Sequence, residues 1–195
     1  MNNTYLVNFT YRKEYILKNN TRKLVLMSLM VAYSLALYLL ETIIPNPMIA
    51  IFPGAKLGLS NIITLLCLIN FGFKDTFKIL SVRIILSSIF AGPVSYFLFS
   101  IAGGYLSLFG MYLATRIKDF STIGISICGA IMHNIGQLLV ASIIIVNISM
   151  LSYLPFMLGA SLATGIFIGF VVKFSDPLLK KQIGQLTKQA KVFPS

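Results

Sequence analysis

The feature that most constrains this chain is an alternation repeated along most of its length. Apolar runs of roughly twenty residues are joined by short connections, and a helix of about that length crosses about 30 Å of hydrocarbon. The runs extend from about Leu24 to Ile44, Met48 to Phe73, Thr76 to Phe90, Val94 to Thr115, Ser121 to Val146 and Tyr153 to Phe174. Inside lipid the backbone polar groups must be satisfied within the segment, which a helix achieves. Composition agrees: 57% of residues are hydrophobic and 11% charged, against about 45–50% and about 25% in soluble domains. The expected fold is an all-α membrane protein. It is a bundle of six transmembrane helices over 24–174, flanked by basic tails at 1–23 and 175–195.

The formal charge of +11 could suggest a nucleic-acid partner, but the positions of the cations argue against one. Arg12, Lys13, Lys18, Arg22 and Lys23 precede the first run. Lys74 and Lys78 lie between runs two and three, and Arg116 and Lys118 between four and five. Lys173, Lys180, Lys181, Lys188 and Lys191 close the chain. The opposite connections, near 45–50, 91–93 and 147–152, carry no Lys or Arg. Basic loops stay on the cytoplasmic side of a membrane. Both termini are therefore expected in the cytoplasm, and the basic segments are expected to meet anionic lipid.

Proline breaks the outer connections. Pro45 and Pro47 end the first run, and Pro53-Gly54 interrupts the start of the second. The second region should begin irregularly and become helical from about Leu57. Irregular backbone at membrane depth needs protein or water around it, so residues 46–58 are expected to form a lid or cavity wall.

Two cations, Lys56 and Arg83, fit no cytoplasmic loop. Arg83 follows Asp75 by about 12 Å of helix, and Lys56 precedes Lys74 by about 27 Å. Glu41 lies near the outer end of the first run, and His133, Asn134 and Gln137 lie midway along the fifth. An ionisable group at such depth costs about 2.5–3.5 kcal/mol even on the gentler scale, so it tends to face an interior cavity with partners. One reading is a cationic, outward-opening pocket for a carboxylate or phosphate head group. Its walls would be Lys56, Ser60, Asn61, Arg83, Ser87, His133, Asn134 and Gln137. Arg83 and Ser87 share a helical face, as do His133 and Gln137. The other reading is a structural network, for example Glu41 paired with Lys56 or Arg83. Lys56 alone could also snorkel to the outer interface.

Small residues recur at four-residue spacing: Ala32 and Ala36; Gly54 and Gly58; Ser161, Gly165 and Gly169. Such spacing lets helix backbones approach closely. It serves packing within the bundle or, at Ala32 and Ala36, a docking face for another membrane protein. His133 is the single histidine, and Cys67 and Cys128 lack ligand spacing, so neither a metal site nor a cofactor is expected. The five acidic residues are isolated, and no P-loop sequence is present. Catalysis by this chain alone is not expected.

Two stretches carry a resemblance. Pro53-Gly54-Ala55-Lys56-Leu57-Gly58-Leu59-Ser60-Asn61 and Gly129-Ala130-Ile131-Met132-His133-Asn134-Ile135-Gly136-Gln137 resemble a bacterial membrane family. That family is known as heptaprenyl diphosphate synthase component I and as the Gx transporter family. Ser100-Ile101-Ala102-Gly103-Gly104 and the in-membrane Arg83 fit the same pattern. More broadly the chain resembles the substrate-binding S-components of energy-coupling-factor transporters. The first label implies a non-catalytic membrane partner of a prenyl synthase in isoprenoid or quinone biosynthesis. The second implies uptake of a small, anionic compound across the bacterial cytoplasmic membrane, energised by separate ATPase subunits. It also implies that Ala32 and Ala36 dock on a coupling protein and that residues 45–56 gate the site. In either case Lys56 and Arg83 would neutralise the ligand, while Asn61, His133, Asn134 and Gln137 would orient it.

Overall fold

The structure, a computed structural model, describes residues 20–43, 57–90 and 94–192. The expected gate at 45–56, the expected lid at 46–58 except its last two residues, and the cation Lys56 lie outside the described residues, as does most of the N-terminal tail. Among the described residues the fold is all-α and has six α-helices: α1 (Asn20–Ile43), α2 (Asn61–Phe71), α3 (Phe73–Phe90), α4 (Val94–Ala114), α5 (Thr122–Ile145) and α6 (Leu154–Val192). A 3-10 helix, Ile148–Tyr153, leads into α6.

Four of these helices, α1, α4, α5 and α6, are long and apolar enough to cross a membrane. The other two depart from that standard for separate reasons. The third helix has 18 residues but carries Lys74, Asp75, Lys78 and Arg83. The second has 11 residues, about 16 Å at ~1.5 Å per residue, which is roughly half the hydrocarbon thickness. It is also the most enclosed element, with every residue but Ile69 buried. It contacts each of the other five helices, and the most extensive packing in the bundle is that of α5, against α4 on one side and α6 on the other. A helix apolar on all sides belongs in the middle of a bundle, and α2 occupies that place. The outer surface is apolar too, with Leu24, Val25, Leu29, Ile85, Ile89, Phe156, Phe167 and Phe170 all exposed.

Two sequence expectations need correction. The second helix starts at Asn61, not near Leu57. Gly58 has φ +85°, outside helical space, and i→i+3 bonds from Asn61 N to Gly58 O (2.9 Å) and Ile62 N to Leu59 O (3.0 Å) make a tight turn first. The sixth helix does not stop near Phe174 but runs on to Val192 through Pro177. Proline removes one bond to the carbonyl of Lys173, on a side where both residues are exposed. Leu179 and Ile183, four residues apart, are buried in the core and hold the extension against the bundle.

Polar contacts brace the basic end. Lys23 Nζ lies 2.8 Å from Asp75 Oδ2, tying α1 to α3. Asn70 Nδ2 donates to Asp176 Oδ1 (2.7 Å), tying α2 to α6, and Lys180 pairs with the same carboxylate at 2.6 Å. Between α2 and α3 a single residue, Gly72, turns the chain at φ 82°, ψ 176°, a backbone region open to glycine almost alone.

Candidate ligand-binding site

The reversal at Gly72 sets the depth of the site. Asn61 and Arg83 are equally far from Gly72 along the chain, and His133 is as far past Thr122, the first residue of α5. Each distance is about 16 Å of helix, so all three reach the middle of the bundle at one level.

At that level the N-terminal end of α2 meets the carboxylate of Glu41 from α1. Gly58 N–H donates to Glu41 Oε1 (2.6 Å), and Leu59 N–H donates to Oε2 (3.0 Å). A helix start leaves backbone donors without internal partners and carries partial positive charge. The tight turn moves those donors to Gly58 and Leu59, and Glu41 caps them although it is itself buried. Tyr38, one turn earlier on the same face of α1, lies under the Arg83 guanidinium, whose carbon is 5.4 Å from the ring centroid. Cation–π attraction of this kind is worth about 2 kcal/mol or more when desolvated. Ser100 of α4 donates from its hydroxyl to Tyr38 Oη at 3.2 Å. Arg83 is 2% exposed, and its Nε has no hydrogen-bond partner among the described residues.

His133 enters from α5 and bonds through Nε2 to the amide nitrogen of Gln137 (3.1 Å). Its ring is seated between two glycines. A Cβ at Gly58 would come within 3.2 Å of the imidazole, and one at Gly103 within 2.8 Å. The α4 and α5 backbones are equally close at Gly136, where a Cβ would meet Ala102 O at 2.6 Å. Beside Gly58 the Asn61 side chain is 1% exposed, and neither its Nδ2 nor its Oδ1 has a partner among the described residues. A buried amide left in that state costs about 1–3 kcal/mol for each unsatisfied group, so Asn61 is poised to take a further partner.

Tyr38, Glu41, Gly58, Ser60, Arg83, Phe99, Ser100, His133 and Gln137 line one cavity. Its volume is about 10 Å³, enough for roughly one water molecule. Of the residues expected from sequence, Ser60, Arg83, His133 and Gln137 line it and Asn61 adjoins it. Asn134 turns elsewhere: its Nδ2 donates to Ser161 Oγ (2.7 Å) and Met157 O (3.3 Å) on α6. Ser87 Oγ bonds its own helix at Ile84 O (2.9 Å). Sequence reasoning does not single out Tyr38 or Phe99. The spacing of Tyr38 to Glu41, three residues on one helical face, is the available signal.

The small-residue stripes divide. On α6, Gly165 and Gly169 press on Ile127 and Ile123 of α5, where added Cβ atoms would lie 2.7 Å from backbone Cα atoms. On α1, Ala32 and Ala36 are exposed. Ala32 lines an apolar surface groove of about 420 Å³ between α1 and α3, with Lys78 at its rim.

The family profile described as heptaprenyl diphosphate synthase component I matches residues 30–175. The chain belongs to this family. No curated protein and no solved structure matches it. The region matched to heptaprenyl diphosphate synthase component I contains every helix wall of the cavity and both exposed alanines.

Proposed function

We propose that this protein is a membrane-embedded binding subunit for uptake of a small anionic compound, resembling the S-components of energy-coupling-factor transporters and energised by ATPase subunits on other chains. It would sit in the cytoplasmic membrane of a bacterium with both termini inside. The observation that carries the reading is the convergence, halfway through the bundle, of Arg83, His133 and Gln137 on the N-terminal end of a half-length helix. Transport proteins commonly bind anionic groups at such broken-helix starts near the bilayer midplane. Asn61, with both amide atoms unsatisfied among the described residues, would join them in orienting the ligand. Asn134 would act at one remove, through α6. Lys56, outside the described residues, would add a second cation. Ala32 and Ala36, exposed and small, would let a helix of a coupling protein approach α1 closely.

The family name supports a second reading, a non-catalytic membrane partner of a prenyl synthase. The two separate by partner. Affinity purification from native membranes should retain a membrane coupling protein and ATPases, and Ala32→Leu with Ala36→Leu should release them. Recovery of a prenyl synthase instead, with altered product length when this chain is absent, would replace the uptake reading with the synthase one. Native mass spectrometry of the purified protein should detect a retained small anion that is lost in Arg83→Met.

A further inference from the structure

We propose that Glu41 is a tethered competitor for the site, and that the ligand displacing it bears a carboxylate-sized anionic head. This rests on the preceding reading that the cavity binds an anion. The seat for such a head consists of the Gly58 and Leu59 N–H groups at the start of α2, and in this structure the Glu41 carboxylate holds both of them. The seat is more than a helix start. Arg83, 2% exposed, lines the same cavity, and Asn61, 1% exposed, adjoins Gly58. Among the described residues the Arg83 Nε and both amide atoms of Asn61 are unpartnered. A purely structural capping network would have no need of two further buried side chains with unpartnered polar atoms beside the cap.

Size selects the ligand class. About 10 Å³ remains free around the seat, roughly one water, so a head group enters only as the Glu41 carboxylate leaves. A planar carboxylate replaces it atom for atom, accepting the two N–H bonds through two oxygens. A diphosphate is far larger and needs the helices to move apart. Charge works in the same direction. Glu41 offsets Arg83 and the partial positive charge of the α2 start, and removing its charge leaves both available to an external anion.

The test is calorimetric titration of the full-length, detergent-purified protein with acetate, inorganic phosphate and pyrophosphate. Glu41→Gln should bind acetate at least about tenfold more tightly than wild type, equivalent to about 1.4 kcal/mol. Arg83→Met in the same background should abolish the gain, and pyrophosphate should gain nothing. Glu41→Asp, whose arm is shorter by one methylene and reaches the two donors less well, should give an intermediate gain and serves if Glu41→Gln does not fold. Measurable acetate binding by wild type that is unchanged or weaker in both variants would overturn the competitor role and leave the anion site standing. No anion binding by any variant would overturn both. A gain confined to pyrophosphate would overturn the carboxylate assignment.

Discussion

His133 and Asn134 are neighbours in the chain, yet they do different work. Adjacent residues on an α-helix point about 100° apart, so one faces the central cavity and the other faces α6. Asn134 should therefore behave as a clamp. Asn134→Ala and Ser161→Ala should each lower thermal stability in detergent, and the double variant should lose less than their sum, with a coupling of about 0.6 kcal/mol as is usual between membrane helices. Gly103 makes a complementary prediction. A methyl group there would stand 2.8 Å from the imidazole, so Gly103→Ala should displace His133 and cost about 1–3 kcal/mol as an overpacked site does. Thermal unfolding checks the cost, and loss of the retained ligand in native mass spectrometry checks the displacement. The shared level of Arg83 and His133 within the bundle was legible in the sequence, because helical rise converts residue number to distance along each helix. The bearing of each side chain around its axis was not. It depends on which neighbour each face meets, and the paired polar residues at 133 and 134 offered no way to choose. Glu41 was legible as a candidate partner for Lys56 or Arg83, but its hold on the start of α2 was not, because the Gly58 and Leu59 donors lie 17 and 18 residues away.

At the scale of elements, the six apolar runs read correctly as six helices, since a stretch of apolar residues between charged or proline-rich connections leaves little else. Their ends were less legible. The tight turn at Gly58 shortens α2, and the positive φ of that glycine together with the reach of Glu41 decides where the helix begins. At the other end of the chain, burial of Leu179 and Ile183 carries α6 past the polar boundary the sequence suggested. The reversal at Gly72 needs a backbone conformation that glycine adopts almost alone. Nothing lies within 4 Å of a Cβ placed there, so any penalty for Gly72→Ala comes from the backbone alone. It should be of order 1–3 kcal/mol, measured by thermal or denaturant unfolding. Because α2 and α3 carry Asn61 and Arg83 away from this one residue, the substitution should also weaken ligand retention.

For the whole molecule, the charge pattern predicts a topology that labelling can check. In a background with Cys67 and Cys128 replaced by alanine, Asp119→Cys should react with a membrane-impermeant thiol reagent only after the cells are opened, and Ser149→Cys should react in intact cells. The reverse pattern would invert the molecule and turn the proposed uptake direction around. The half-length of α2 has a consequence for how such a protein comes to exist. A helix of 11 residues in contact with five others draws its burial from the rest of the bundle. When it leaves the ribosome, α6, which carries its Asp176 partner, has yet to be synthesised. Until then Asn70 lacks its carboxylate acceptor, and the packing around the centre of the protein is completed only when the last helix arrives.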